Sequence, residues 1–363
     1  MRAQARHAED GATVVMVAIL MLVLFGFAAL AIDVGASFWE RRQLQNGADA
    51  GSLAVAQDVA RHVATGGTVA AGDLNDHHAT AKGYADANAA DGAADLDAPP
   101  SLTPIAGVDL TRGGEVTVTT LVNDGGQNEL SHYFAPVIGI PSSRITATAS
   151  AIYGPLGAIA GAFPVVICEY EYDNDGNVFE VVLKRPPGQG GEVQTDCPTE
   201  PETFPTGQTP GNFSWLNPTG DGCTVDFDLD DPDMQGDTGV NVPTSCGDEA
   251  KAIADGINAY KAGTASELPV RYVAVFSKVD GTGATTYYTI TKLAAFEFHG
   301  IKTVIPGHGA TNAVVDSWST GPDSCNGDSL STHCVKGRFT GGVATGPIDY
   351  DADSDVLGVQ LSR

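Results

Sequence analysis

Three acidic side chains have spacing that suits a hard cation. Glu171, Asp173 and Asp175, followed by Gly176, occupy positions 1, 3, 5 and 6 of a calcium loop. Position 12, where a bidentate Glu is needed, is Val182. The string Asp173-Asn-Asp-Gly-Asn177 is also a hairpin-turn sequence, because Asn and Gly accept positive φ. Both readings stand at this level. Two further runs alternate carboxylates: Asp226, Asp228, Asp230, Asp231 and Asp233, then Asp349, Asp351, Asp353 and Asp355. On an extended chain such alternation puts carboxylates on one face, as a cation bridge or as a solvated acidic edge. The histidines His77, His78, His299, His308 and His333 show neither HExxH nor paired-ligand spacing, so no catalytic zinc is expected. Cys334 near Arg338 lacks the spacing of a cysteine transpeptidase. No Gly-x-Ser-x-Gly, P-loop or dinucleotide fingerprint occurs. The chain is expected to be non-enzymatic, with no cofactor other than possible calcium.

The six cysteines, Cys168, Cys197, Cys223, Cys246, Cys325 and Cys334, all lie in the second part of the chain. An even set in a Gly/Pro-rich region fits disulfides formed in an oxidising compartment. Neighbour pairing (168–197, 223–246, 325–334) closes the shortest loops at the lowest entropy cost. Other connectivities stay open.

What must hold these groups in place begins with a membrane segment. Residues 11–32 contain no charge, and Thr13 is their one conventional polar side chain. As a helix the run spans about 33 Å, close to the hydrocarbon thickness of a bilayer. Ala29-Leu30-Ala31 fits a signal-peptidase pattern, but the run is longer than a usual signal core, so an uncleaved anchor is expected. Arg2 and Arg6 before the span balance Arg41 and Arg42 after it. The cysteines then set the orientation, with the N-terminus cytoplasmic and the bulk outside. Asp33, Arg41 and Arg42 mark the exit. Asp33 either simply ends the apolar run or pairs with a partner's N-terminus or Arg.

Beyond Asp33 the stripe Ala48, Ser52, Val55, Val59, Val63 has helical spacing, and Gly66-Gly67 ends it. One helix is expected from the bilayer to about residue 65. Its small residues Gly47, Ala48, Ala50, Gly51 and Ala54 allow close packing, on the chain's own sheet or on a neighbouring subunit's helix. Residues 77–88 read as a short helix, 115–122 and 144–153 as strands, and 129–138 as a helix with Leu130, Phe134 and Val137 inward. Further on, 163–168 and 178–184 read as a hairpin, and 249–261 as a helix with Ile253, Ile257 and Tyr260 on one face. Residues 270–279 and 285–298 are the clearest strands.

Composition limits the partners. Apolar residues at 42% can build a core, and the net charge of −26 repels phosphate backbones, so no nucleic-acid partner is expected. Peripheral docking on an anionic membrane surface is disfavoured for the same reason.

The block 9–56 resembles the TadG-like family of the tight-adherence (Flp) pilus-assembly system. The resemblance rests on the acidic-Gly start, the apolar span, Asp33-Val34-Gly35, Arg41-Arg42 and Leu44-Gln-Asn-Gly-Ala-Asp-Ala50. Residues 132–151 resemble the strand-forming block that closes the family's N-terminal region, and 211–216 with 334–339 resemble it more loosely. Related pseudopilins are cut after a Gly with a Glu five residues on, whereas here Gly11 is followed at that distance by Met16. Asp316-Ser-Trp-Ser319 does not have the spacing of the metal site in the von Willebrand A-type domain of some relatives. The resemblance implies partners among other pilus-assembly or pilin-like membrane proteins, besides the lipid bilayer through 11–32.

The expected fold is α+β. A transmembrane helix (11–32, after a cytoplasmic 1–10) continues as an extracytoplasmic helix (33–65) on a small α/β pilin-like region (66–153). A β-rich, disulfide-containing domain (154–363) follows. The expected function is a single-pass, structural or adhesive surface component of a pilus or secretion apparatus. A calcium-dependent surface or carbohydrate-binding module and an anchored secreted hydrolase are the alternatives.

Overall fold

The computed structural model describes residues 7–169, 172, 177–182, 213–218, 222–236, 242–280, 287–319, 325 and 333–362. The fold is α+β. Among the described residues three α-helices, α1 (His7–Ala64), α2 (His78–Asn88) and α3 (Gly247–Lys261), are set among nineteen strands. The first seven strands are β1 (Gly72–Asp73), β2 (Ala94–Leu96), β3 (Ser101–Pro104), β4 (Gly114–Val122), β5 (Leu130–Ser131), β6 (Ser142–Ser143) and β7 (Thr146–Pro155). Then come β8 (Ala158–Ala162), β9 (Val165–Cys168), β10 (Phe179–Val182), β11 (Phe213–Trp215), β12 (Val225–Asp228) and β13 (Asp233–Gln235). The last six are β14 (Val270–Asp280), β15 (Tyr287–Ile305), β16 (Gly309–Val314), β17 (Cys334–Thr340), β18 (Gly342–Ala344) and β19 (Val356–Leu361).

α1 has two halves with opposite solvation. From Val14 (68% exposed) to Ile32 (52% exposed) its large apolar side chains face outward on every side, and nothing among the described residues covers them. This is the one helix among the described residues long and apolar enough to cross a membrane. Past residue 42 the helix becomes one-sided. Leu44, Ala48, Ser52, Val55, Val59 and Val63 are all buried. Their i, i+4 and i, i+3 steps form a single stripe, which packs on β4, β7 and β19. The partner of the stripe is therefore the chain's own sheet. The small residues have a second purpose. A Cβ at Gly47 would lie 3.0 Å from the Ala85 Cα, and one at Gly51 would lie 3.4 Å from the Ala81 oxygen, so these glycines seat α2 directly on α1. The helix ends where Gly66, at φ 83°, donates to the Val63 carbonyl and Gly67 donates to the His62 carbonyl.

The first sheet runs β1-β3-β4-β7-β19-β18, with β2 on the other end of β4. It is antiparallel apart from β18–β19, and β19 arrives from the end of the chain to pair with β7, with Val359 opposite Tyr153. The second sheet runs β10-β17-β15-β14-β9-β11, with β13 and β16 also on β15. Its spine is β15, which is paired with β14 on one side and β17 on the other. α3 covers this sheet with Ala250, Ile253, Ala254 and Ile257. Tyr260, expected on the same face, is 37% exposed at the end of the helix. Phe163, Trp215, Phe296, Phe298 and Phe339 fill the layer edge to face, at centroid distances of 4.9–6.0 Å.

Two expected elements form differently. Strands β9 and β10 do not make a hairpin. Three strands separate them: β10 pairs with β17, and β9 sits between β14 and β11. All four β9 residues are buried, so β9 needs apolar neighbours on both sides, which one hairpin arm would not provide. The expected helix at 129–138 is instead β5, a loop and a 3-10 turn at Ala135–Ile138. Pro136 has no N–H to bond back to an earlier turn, so a helix begins near it and does not run through it, and Gly139 at φ 88° ends the turn. Phe134 and Val137, expected inward, are 45% and 89% exposed.

Disulfides join Cys223 to Cys246 and Cys325 to Cys334, as neighbour pairing anticipated. Cys168 is also disulfide-bonded, while Cys197 lies outside the described residues.

Candidate functional site: the exit of the helix

Asp33 follows directly on the apolar run of α1, yet it is only 3% exposed. Its carboxylate reaches a segment a hundred positions away. One oxygen accepts the Tyr133 N–H at 2.9 Å. The other accepts Phe134 N–H at 2.9 Å and Ala135 N–H at 2.6 Å. These amides open the 3-10 turn, and helical first turns leave such donors without internal partners. Asp33 thus caps a turn on another part of the chain. Burial pushes its carboxyl up. The three backbone donors and nearby His132 outweigh this and hold it below the usual aspartate range. Asp33 therefore does more than end the apolar run, and its own chain satisfies it without a partner's N-terminus or Arg.

Arg41 and Arg42, the other exit residues, are exposed on the helix two turns further on. Arg41 lines a groove of about 520 Å³ with Asp33, Phe38, His132 and Ile138. Above it, Thr120 Oγ1 donates to the Leu44 carbonyl at 2.8 Å, and Gln45 Nε2 donates to the Thr148 carbonyl at 3.3 Å. The helix is fastened to the first sheet immediately after it leaves the apolar zone.

A second concavity, of about 600 Å³, lies where the end of α1 meets both sheets. Arg112, Glu297, Arg338, Asp353 and Asp355 line it. Glu297 accepts from Arg338 Nε at 2.9 Å and shares a 2.7 Å contact with His299 Nε2. Burial raises its carboxyl, but Arg338 and His299 overcome this and leave it below the usual glutamate range. Burial pushes Asp355 up to about 6, against the pull of the Arg112 guanidinium. Arg112 is itself spent on the carbonyls of Tyr350 and Ala352.

The Asp355 shift has a definite sign. An unfolded Asp titrates near 3.9. Between about pH 4 and 6 the folded chain binds the extra proton, so this residue makes stability fall as pH rises through that window. Asp355→Asn should melt higher than the parent at pH 7.5, with the gain shrinking towards zero at pH 4. Paired thermal melts at the two pH values would show it, and a gain larger at pH 4 would contradict it.

The remaining candidates disperse. Glu171, Asp173 and Asp175 lie outside the described residues. Asp226 accepts from Gly161 N–H, Asp228 from Asp230 N–H and Asp233 from Thr289 Oγ1, so these carboxylates brace loops and strands. In the second run Asp349 accepts from Asp351 N–H, and Asp353 pairs with Lys292 at 3.0 Å. Among the described residues no three His, Cys, Asp or Glu side chains converge to hold a metal. His77 faces Asp58, His308 contacts Asp248, and buried His333 meets Thr303 Oγ1. Cys334 is held in its disulfide with Cys325.

The geometry divides the chain at the exit into an uncovered apolar rod and a folded body. Comparison with known proteins bears on the rod. Residues 11–58 match the Tad family model, Flp pilus-assembly TadE/G-like. The Tad match starts with the apolar run, includes Asp33, Arg41 and Arg42, and ends on the stripe that docks to the first sheet. It supports a Flp pilus-assembly component. No curated protein and no solved structure shows a significant match to the chain.

Proposed function

We propose that this protein is a membrane-anchored, non-enzymatic component of a Flp-type pilus-assembly apparatus. Its N-terminus is cytoplasmic, and its disulfide-tied body stands outside the membrane as a structural or adhesive head. The observation that carries this reading is α1 itself. One helix joins a bilayer-length apolar rod to a docked stripe, and the Tad match covers that junction. The disulfides support an oxidising location for the body. The rod's uncovered side chains leave it free to meet lipid or the helices of other membrane proteins.

A non-enzymatic role is supported by how the polar concavity is used. Glu297 is occupied by Arg338 and His299, and the Ser354 hydroxyl is hydrogen-bonded within its own turn to Val356. These groups brace the joint between the two sheets instead of converging on an empty point.

The test is affinity isolation from detergent-solubilised membranes under non-reducing conditions, with mass spectrometry of what accompanies the full chain. Other pilus-assembly membrane proteins should co-purify, and a version lacking 11–32 should lose them. Recovery of the full chain without any such protein would contradict the proposal.

A further inference from the structure

The loop that Asp33 holds is itself apolar. Residues 133–140 read YFAPVIGI and carry no charge. Tyr133 is 79% exposed, Val137 89%, Ile138 68% and Ile140 50%. A soluble surface rarely gathers so many large apolar side chains in one short loop. Its position supplies the reason. The three hydrogen bonds from 133–135 to Asp33 fix the loop at the height where the apolar run ends. Ile138 and Ile140 reach further, sharing a groove with Leu30, Val34 and Phe38. Leu30 lies almost one turn inside Asp33, on the bilayer side of the helix.

We infer that residues 133–140 form a second membrane contact, a wedge seated in the interfacial layer of the leaflet on the head side, with lipid acyl chains filling the groove against α1. The inference rests on the anchoring reading above. The occupant is lipid because the exposed apolar face of the rod continues from Leu30 through Val34 and Phe38 to the loop, and polar groups, Arg41, His132 and Arg144 among them, line the rest of the groove. An aromatic at the water boundary and aliphatics below it suit that layer, and Tyr133 and Phe38 supply the aromatics. The wedge needs no anionic lipid, which agrees with a chain of net charge −26. Two contacts on opposite sides of Asp33 restrain the tilt of the head on its rod.

The test uses the full chain in phosphatidylcholine vesicles. Single cysteines at Leu22, Val137 or Asn258 carry an environment-sensitive fluorophore, and lipids nitroxide-labelled near the headgroup or along the acyl chain are the quenchers. Leu22 reports the rod, Val137 the loop and Asn258 the exposed side of α3. Val137 should be quenched several-fold more than Asn258, most strongly by the shallow label, while Leu22 responds best to the deep one. Quenching at Leu22 with Val137 no different from Asn258 would overturn the wedge and leave the anchor standing. Blue-shifted emission at Val137 without lipid quenching would mean a protein covers the loop, and would also overturn it. No quenching at either Leu22 or Val137 would defeat the anchoring reading and the wedge together.

Discussion

Replacing Asp33 by alanine should release the 133–140 loop from the helix while leaving the two sheets folded. Three backbone donors would lose a charged acceptor that is almost fully buried, and the alanine methyl replaces none of those bonds. Hydrogen bonds to a charged group are stronger than neutral ones, and donors left unpaired at a helical start are costly. Proteolytic cleavage within 133–140 should speed up by roughly tenfold or more, and amides 133–135 should lose their exchange protection to a similar degree. Asp33→Asn keeps an acceptor oxygen, so its effect should be smaller. Acid should mimic the substitution. The folded carboxyl titrates below the unfolded one, so its stabilisation is complete above the usual aspartate range and is lost as pH falls through the lowered folded value. If hydrogen exchange at 133–135 were unchanged in Asp33→Ala, the cap would not be what holds the loop.

The second large effect is expected at Gly341, between β17 and β18. A Cβ there would sit inside the van der Waals envelope of the Ala64 carbonyl and backbone, the last residue of α1. The far end of the rod therefore touches the strand pair that crosses from one sheet to the other. Backbone cannot yield as a flexible side chain does, so Gly341→Val should cost about 3 kcal/mol or more by overpacking. It should also loosen the end of α1, whose last carbonyls are closed by Thr65, Gly66 and Gly67. Denaturant melts of the full chain in detergent would measure the loss. A shift below about 0.5 kcal/mol would mean the contact is not maintained, because that is the range of ordinary surface substitutions.

Some of this architecture was legible from local pattern and some was not. The stripe from Ala48 to Val63 was readable because helical periodicity is a local property, and burial follows from it. So was the close packing of Gly47 and Gly51, although the sequence did not reveal that α2 was their partner. The disulfides at 223–246 and 325–334 agree with the neighbour pairing that loop-closure cost favours, one of several connectivities open in the sequence. Non-local pairings were invisible. Asp33 finds its donors a hundred residues away, and β19 returns to β7 across most of the chain. The turn signal at 173–177 predicts a reversal but carries no information about the partner strand, and β9 and β10 pair elsewhere in the sheet. At 129–138 the apolar spacing predicts a helix, but Pro136 and Gly139 override it. Leu130 packs on the first core and Ala135 is buried, but Phe134, Val137 and Ile138 face outward.

The central claim is that one unbroken rod carries the head out of the membrane. Spin labels at Leu22 and Arg61, in the full chain purified from its own cells and placed in lipid nanodiscs, test it most directly. Electron–electron distance measurement should give a single narrow peak near 58 Å, about 1.5 Å for each intervening residue. A broad or markedly shorter distribution would show a break between the apolar half and the docked half. Loss of the Leu22 label from the mature chain would show that the rod had been removed.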